Sequence, residues 1–185
     1  MILDNFLMFT GTSNGASGGI TSAANTDAPT TGTQTASNII DLGVVNGIPG
    51  SASGGGARDM GIGDDPALKL FAQVTTAFTG GTSLQLVLAG APDNGSGAAG
   101  SFTTMWTSAA IVEASLVVGA QLANIDIPRP VPGQAMPRFL RLQFVSVGTH
   151  GAGAVEATVV LDRFDQPVGT GGALSGYPAG VTVAN

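Results

Sequence analysis

Cysteine is absent from the 185 residues, which excludes disulfides, thiolate metal sites and cysteine nucleophiles. Histidine occurs once, at His150, so no set of imidazoles can hold a metal. Basic residues are scarce: Lys69 and five arginines stand against 12 acidic residues, for a net charge of −6. With no basic stripe to neutralise phosphates, nucleic acid is not an expected partner. Charged residues amount to 10% of the chain, well below the roughly 25% of an ordinary domain. Such a surface is neutral and weakly polar, and it is suited to being covered by other proteins. One Trp and one Tyr give a glycan platform or a glycosidase cleft little to build on. The longest weakly polar run, 109–123, is interrupted by Glu113, Ser115 and Gln121 and is too short to span a bilayer. The N-terminus carries no cationic region of a secretory signal, so a soluble chain made in a cytoplasm is expected, with no membrane partner.

What is present is glycine and alternation. Residues 1–185 read as one domain, large enough for a real core. Asp59, Gly61, Gly63, Asp64, Asp65 and Pro66 make a polar corner, after which Leu68, Leu70, Ala72 and Val74 alternate with Lys69, Phe71, Gln73 and Thr75. That period of two predicts a strand with one apolar face. Gly80-Gly81 then predicts a hairpin into a strand at 83–89, where Leu84, Leu86 and Leu88 share a face. A second hairpin is predicted across Thr149-His150-Gly151, between 136–148 (Leu140, Leu142 and Phe144 on one face, Arg141 and Gln143 on the other) and 154–163. Further strands are expected at 38–45, 102–108 and 121–127, while 110–118 suits a strand or a short helix. Residues 11–37 read as a long loop or a pair of weak strands.

Both termini are distinctive. Ile2, Leu3, Phe6, Leu7, Met8 and Phe9 make residues 1–10 strongly apolar, either a first strand or an arm that docks on a neighbour. Residues 164–185 are glycine-rich and read as an extended tail, and the Pro128 to Pro132 run as a stiff connector. About eight or nine short strands predict an all-β, antiparallel two-sheet sandwich, a jelly roll first and an immunoglobulin-like sandwich second, with extended terminal arms and long Gly-rich loops.

Catalytic patterns are thin. His150 has neither a nucleophile nor an orienting carboxylate beside it in sequence, and reads as a surface turn. Asp59, Asp64 and Asp65 lack EF-hand spacing and read as a solvated corner, and no glycine-rich phosphate loop is complete. Trp106 reads as core. No cofactor, metal or catalytic residue is expected, and the chain is not expected to be an enzyme.

Three blocks carry a resemblance: Met-Ile-Leu-Asp-Asn-Phe-Leu-Met-Phe-Thr at the N-terminus, Asp59-Met-Gly-Ile-Gly-Asp-Asp with its following strand, and Pro137-Arg-Phe-Leu-Arg-Leu-Gln-Phe-Val. In that order they resemble the jelly-roll capsid cement (decoration) proteins of tailed bacteriophages. The resemblance implies a structural virion protein on the outer surface of the head, partnered by the major capsid protein and by itself as a dimer or trimer. Candidate contact residues, chosen as apolar or arginine positions that interfaces favour, are Phe6, Phe9, Arg129, Arg138 and Tyr177. The alternative is a carbohydrate-binding or adhesive β-sandwich displayed on a particle surface.

Overall fold

Alternation decides which side chains face inward, and the structure follows it closely. A computed structural model describes residues 7–11, 20–23, 25–42, 68–128 and 137–161. Its strands are β1 (Thr21–Ala23), β2 (Thr26–Ala28), β3 (Gly32–Asp41), β4 (Leu68–Gly80), β5 (Ser83–Ala91), β6 (Thr103–Thr107), β7 (Ile111–Val112), β8 (Gln121–Asp126), β9 (Phe139–Val147) and β10 (His150–Leu161). One sheet runs β1-β2-β10-β4-β8; the other runs β3-β9-β5-β6, with β7 also beside β5. Leu70, Ala72 and Val74 of β4, Leu84, Leu86 and Leu88 of β5, Leu140, Leu142 and Phe144 of β9, and Val155, Ala157 and Val159 of β10 meet in one core. Each buried leucine contributes on the order of 1.5–3 kcal/mol relative to exposure, so this core is the main stabilising term.

The pairing is that of a long hairpin folded over on itself. β2 pairs β10, β3 pairs β9, β4 pairs β8 and β5 pairs β6, and the roll is closed where β10 also pairs β4 and β9 also pairs β5. All of these pairs are antiparallel. This is the jelly-roll path, and the architecture expected from the sequence is the one observed.

Both predicted hairpins are corrected. β4 and β5 lie in different sheets, as do β9 and β10. Alternation marks the buried face of a strand but does not name its neighbour, and a tight glycine turn can carry the chain across the sandwich as well as back along one sheet. Gly80, Gly81 and Gly148 have φ of 70°, 73° and 78°, values that side chains resist. The two crossings lie against each other. Thr82 N donates to Val147 O at 2.7 Å, and Gly80 pairs with His150.

His150 is also corrected. It is 2% exposed, not a surface turn residue, with Nδ1 2.9 Å from Gly80 O and its ring edge-on to Phe78 at 5.0 Å between centroids. Its burial is set by the packing of the two crossings, which no local pattern encodes. Residues 110–118 form the two-residue β7 and a 3-10 turn, Glu113–Ser115, instead of one longer element. The described part of residues 11–37 contains β1, β2 and the start of β3. β3 begins at Gly32, earlier than expected.

The chain from Leu7 to Gly11 closes one flank of the sandwich. Met8 bridges Thr158 of β10, and Phe9 N donates to Ala157 O at 2.9 Å while Asn38 N donates to Phe9 O at 2.8 Å. This stretch therefore joins the two sheets. The buried carboxylate of Asp27 in β2 fixes it further, accepting from Gly11 N at 3.1 Å, Ser37 N at 2.7 Å and Ser37 Oγ at 2.6 Å. Docking on its own sandwich is thus the fate of residues 7–11.

Candidate functional site

The strand register places the described connections at two ends of the sandwich that differ in charge. At one end Asp41 closes β3, Lys69 is the second residue of β4, Asp93 follows β5, Asp126 closes β8 and Arg138 precedes β9. At the other end lie 29–31, the two crossings and the segment after β7. That end exposes Val112, Val117, Val118 and Val147, at 52–66%, and its described charge is Glu113 alone.

Arg138 organises the charged end. Its guanidinium forms a fork on Asp41, with Nε to Oδ1 at 2.8 Å and Nη2 to Oδ2 at 2.9 Å, and its Nη1 donates to Asp93. Asp93 also accepts from Gly95 N at 2.6 Å and Gly97 N at 3.1 Å. These backbone donors, Gly97 first and then Gly95, together with Arg138 hold its carboxyl below the ordinary carboxylate range. The Asp41 fork and Asp93 in turn push Arg138 up. Leu42 N donates to Arg138 O and Arg138 N to Ala91 O, so side chain and backbone together knit β3, the β5–β6 loop and β9. The Arg138 side chain is 13% exposed. As a candidate contact residue Arg138 is found with its donors on Asp41 and Asp93, because the register of β3 and β9 delivers a carboxylate to its plane.

The outward face of the β3-β9-β5-β6 sheet is a different surface. Opposed residues share a face in an antiparallel pair. Val145 stands between Thr33 and Gln85, Gln143 between Thr35 and Val87, and Arg141 between Ile39 and Ala89. Ile39 is 40% exposed. Arg141 is the one charge on these three rows. Its guanidinium lies 4.1 Å from the centroid of the Phe102 ring, and Nη2 donates to Gln143 Oε1 at 3.3 Å. Nε is buried without an acceptor, and desolvation by burial pushes the group down from its usual value. Lys69 has Asp126 at 3.6 Å and Arg138 has two carboxylates, whereas Arg141 has none among the described residues.

Of the other candidate contacts, Phe9 is 0% exposed and part of the chain's own core, so it has no surface to offer a partner. The carbonyl and amide of Phe9 lock it between β10 and β3, which is why the apolar terminus turns inward there. Phe6, Arg129 and Tyr177, the 164–185 tail, and Asp59, Asp64 and Asp65 lie outside the described residues. Trp106 packs against the core from β6. Arg141 was visible in sequence only as an outward residue of its strand; the signal that singles it out, a cation without a carboxylate, exists only once the sheet is assembled. Among the described residues no three metal-ligating side chains converge, and no helix is long and apolar enough to cross a membrane.

The family model Bbp16 matches residues 23–159, from the last residue of β1 almost to the end of β10. The chain belongs to the Bbp16 family. Bbp16 proteins are a phage-associated family. Among curated proteins, none matches the chain. The Bbp16 match runs from the end of β1 through most of β10 and so covers most of the rolled sandwich.

Proposed function

We propose that this Bbp16 protein is a capsid cement protein, bound to the outer surface of a tailed-phage head and stabilising contacts between major capsid proteins. The observation that carries the reading is the distribution of charge. Three successive rows of the outward sheet face and one end of the sandwich bear a single described charge each, Arg141 and Glu113, while Asp41, Asp93 and Arg138 gather at the opposite end and are paired there. A neutral, valine-rich surface is poor for a free monomer and good for extensive contact with other proteins. A net charge of −6 disfavours contact with packaged DNA and suits the outside of the shell. The resemblance of the three sequence blocks points the same way. No enzymatic role is part of this reading, and repeated binding sites on the lattice multiply weak individual contacts.

The test is co-sedimentation with expanded heads that lack the protein, scored as copies bound per major capsid protein and as the shift in head melting temperature. Saturation at a fixed ratio with a raised melting temperature supports the role. A folded protein that leaves both quantities unchanged rules it out.

A further inference from the structure

Arg141 is placed at a cost that no carboxylate among the described residues offsets. A desolvated cation is expensive unless a counter-charge or several acceptors compensate it. Here Nε is sealed without an acceptor and the nearest polar partner is the neutral amide of Gln143. Carboxylates are plentiful in this protein, 12 acidic residues in all, and both other described cations have one. The sheet could have set an acidic residue opposite Arg141; the register sets Ile39 and Ala89 there.

The surroundings define what would complete the site. Phe102 lies under the guanidinium at 4.1 Å and holds it in place, so the Nη hydrogens not used by Gln143 are the donors offered to a carboxylate. On the neighbouring rows Gln143 is neutral and Asp41 is held by the Arg138 fork, and Ile39, Val87 and Val145 would exclude water from a docked ion pair and strengthen it. A polyphosphate does not fit, because one cation in a protein of net charge −6 cannot hold a polyanion. We propose that Arg141, mounted on Phe102, is the anchor of a protein-docking face that takes a partner segment presenting one carboxylate among apolar side chains. The identity of that partner as the capsid protein rests on the cement reading above; the carboxylate chemistry does not.

Two measurements test it. In the first, wild type, Arg141→Gln, Arg141→Lys and the control Lys69→Gln are titrated onto expanded heads that lack the protein, with urea stability measured in parallel. The expected result is a loss of affinity of at least about tenfold for Arg141→Gln, an intermediate loss for Arg141→Lys, which keeps the charge but not the fork or stack, and none for Lys69→Gln. Arg141→Gln should retain or gain stability, which a merely structural arginine would not. Unchanged head affinity in Arg141→Gln, or a change only in the oligomeric state of the free protein, overturns the proposal. The second measurement needs no capsid: the Arg141 side-chain NεH signal is followed while capped Val-Asp-Val and Val-Asn-Val peptides are added. A saturable shift with the Asp peptide alone supports the anchor even if wild type ignores heads, an outcome that would sink only the cement reading. No shift, or equal shifts with both peptides, rejects the anchor itself.

Discussion

The imidazole of His150 fills the space that a side chain on Gly81 would need: a Cβ built there would lie 2.5 Å from Nδ1. Gly81 also has a φ of 73°. Sequence position 81 is therefore constrained twice, by its own backbone and by a ring 69 residues downstream that reaches it only because the two sheet crossings lie side by side.

Gly81→Ala is expected to cost about 2–4 kcal/mol, combining a left-handed backbone penalty with overpacking. In a His150→Ala background the cost should fall to the backbone share, about 1–2 kcal/mol. Urea unfolding of the four proteins in this double-mutant cycle measures the difference, and strict additivity would contradict the contact.

Asp27→Ala should destabilise by roughly 3 kcal/mol, because three donors, Gly11 N, Ser37 N and Ser37 Oγ, lose a charged acceptor in a buried place. The loss should be concentrated at the flank. Amide exchange at Phe9, whose N–H is bound to Ala157, is expected to speed up more than exchange in β5.

Phe9→Ala is expected to lower stability by about 3–5 kcal/mol through the cavity it leaves, since the ring is fully buried. At temperatures where the variant remains folded, head binding should be retained. Loss of binding without loss of stability would return Phe9 to the surface role that its sequence context suggested.

The Asp93 carboxyl is held below its ordinary value of 3.8 by Gly97, Gly95 and Arg138, so its contribution to stability is fully present above that value. It is lost as the pH falls through the lowered folded value. Compared with Asp93→Asn, wild type should be more stable at neutral pH, and the gap should narrow on acidification below about pH 4, where the unfolded carboxyl takes up its proton. A gap independent of pH between 2 and 7 in paired denaturation curves would dismiss this linkage.

Strand positions were largely legible because a period of two survives in Leu84, Leu86, Leu88 and in Leu140, Leu142, Phe144 whatever the partners are. Partnership was not legible. Gly80-Gly81 and Thr149-His150-Gly151 look like hairpin turns because glycine serves any turn with positive φ, and only the competition among sheets decides between a hairpin and a crossing. The weak strands β1 and β2 lack an apolar stripe, since their order comes from Asp27 and from pairing with β10, both remote in sequence. The same distance hides the site: Arg138 looked available until Asp41 and Asp93, 97 and 45 residues away, are brought to it.

β10, the last described strand, lies inside its sheet with β2 on one side and β4 on the other. A chain emerging from the ribosome can pair β4 with β8 and β9 with β5, yet the sheet between β2 and β4 has a gap until residue 161 has been made. Closing the roll joins Met8 to Thr158, a loop of nearly the whole described chain, so its entropy must be met before the final strand returns any burial. Closure is consequently expected to be slow, and during that interval β4 offers an unpaired edge to any neighbouring nascent copy.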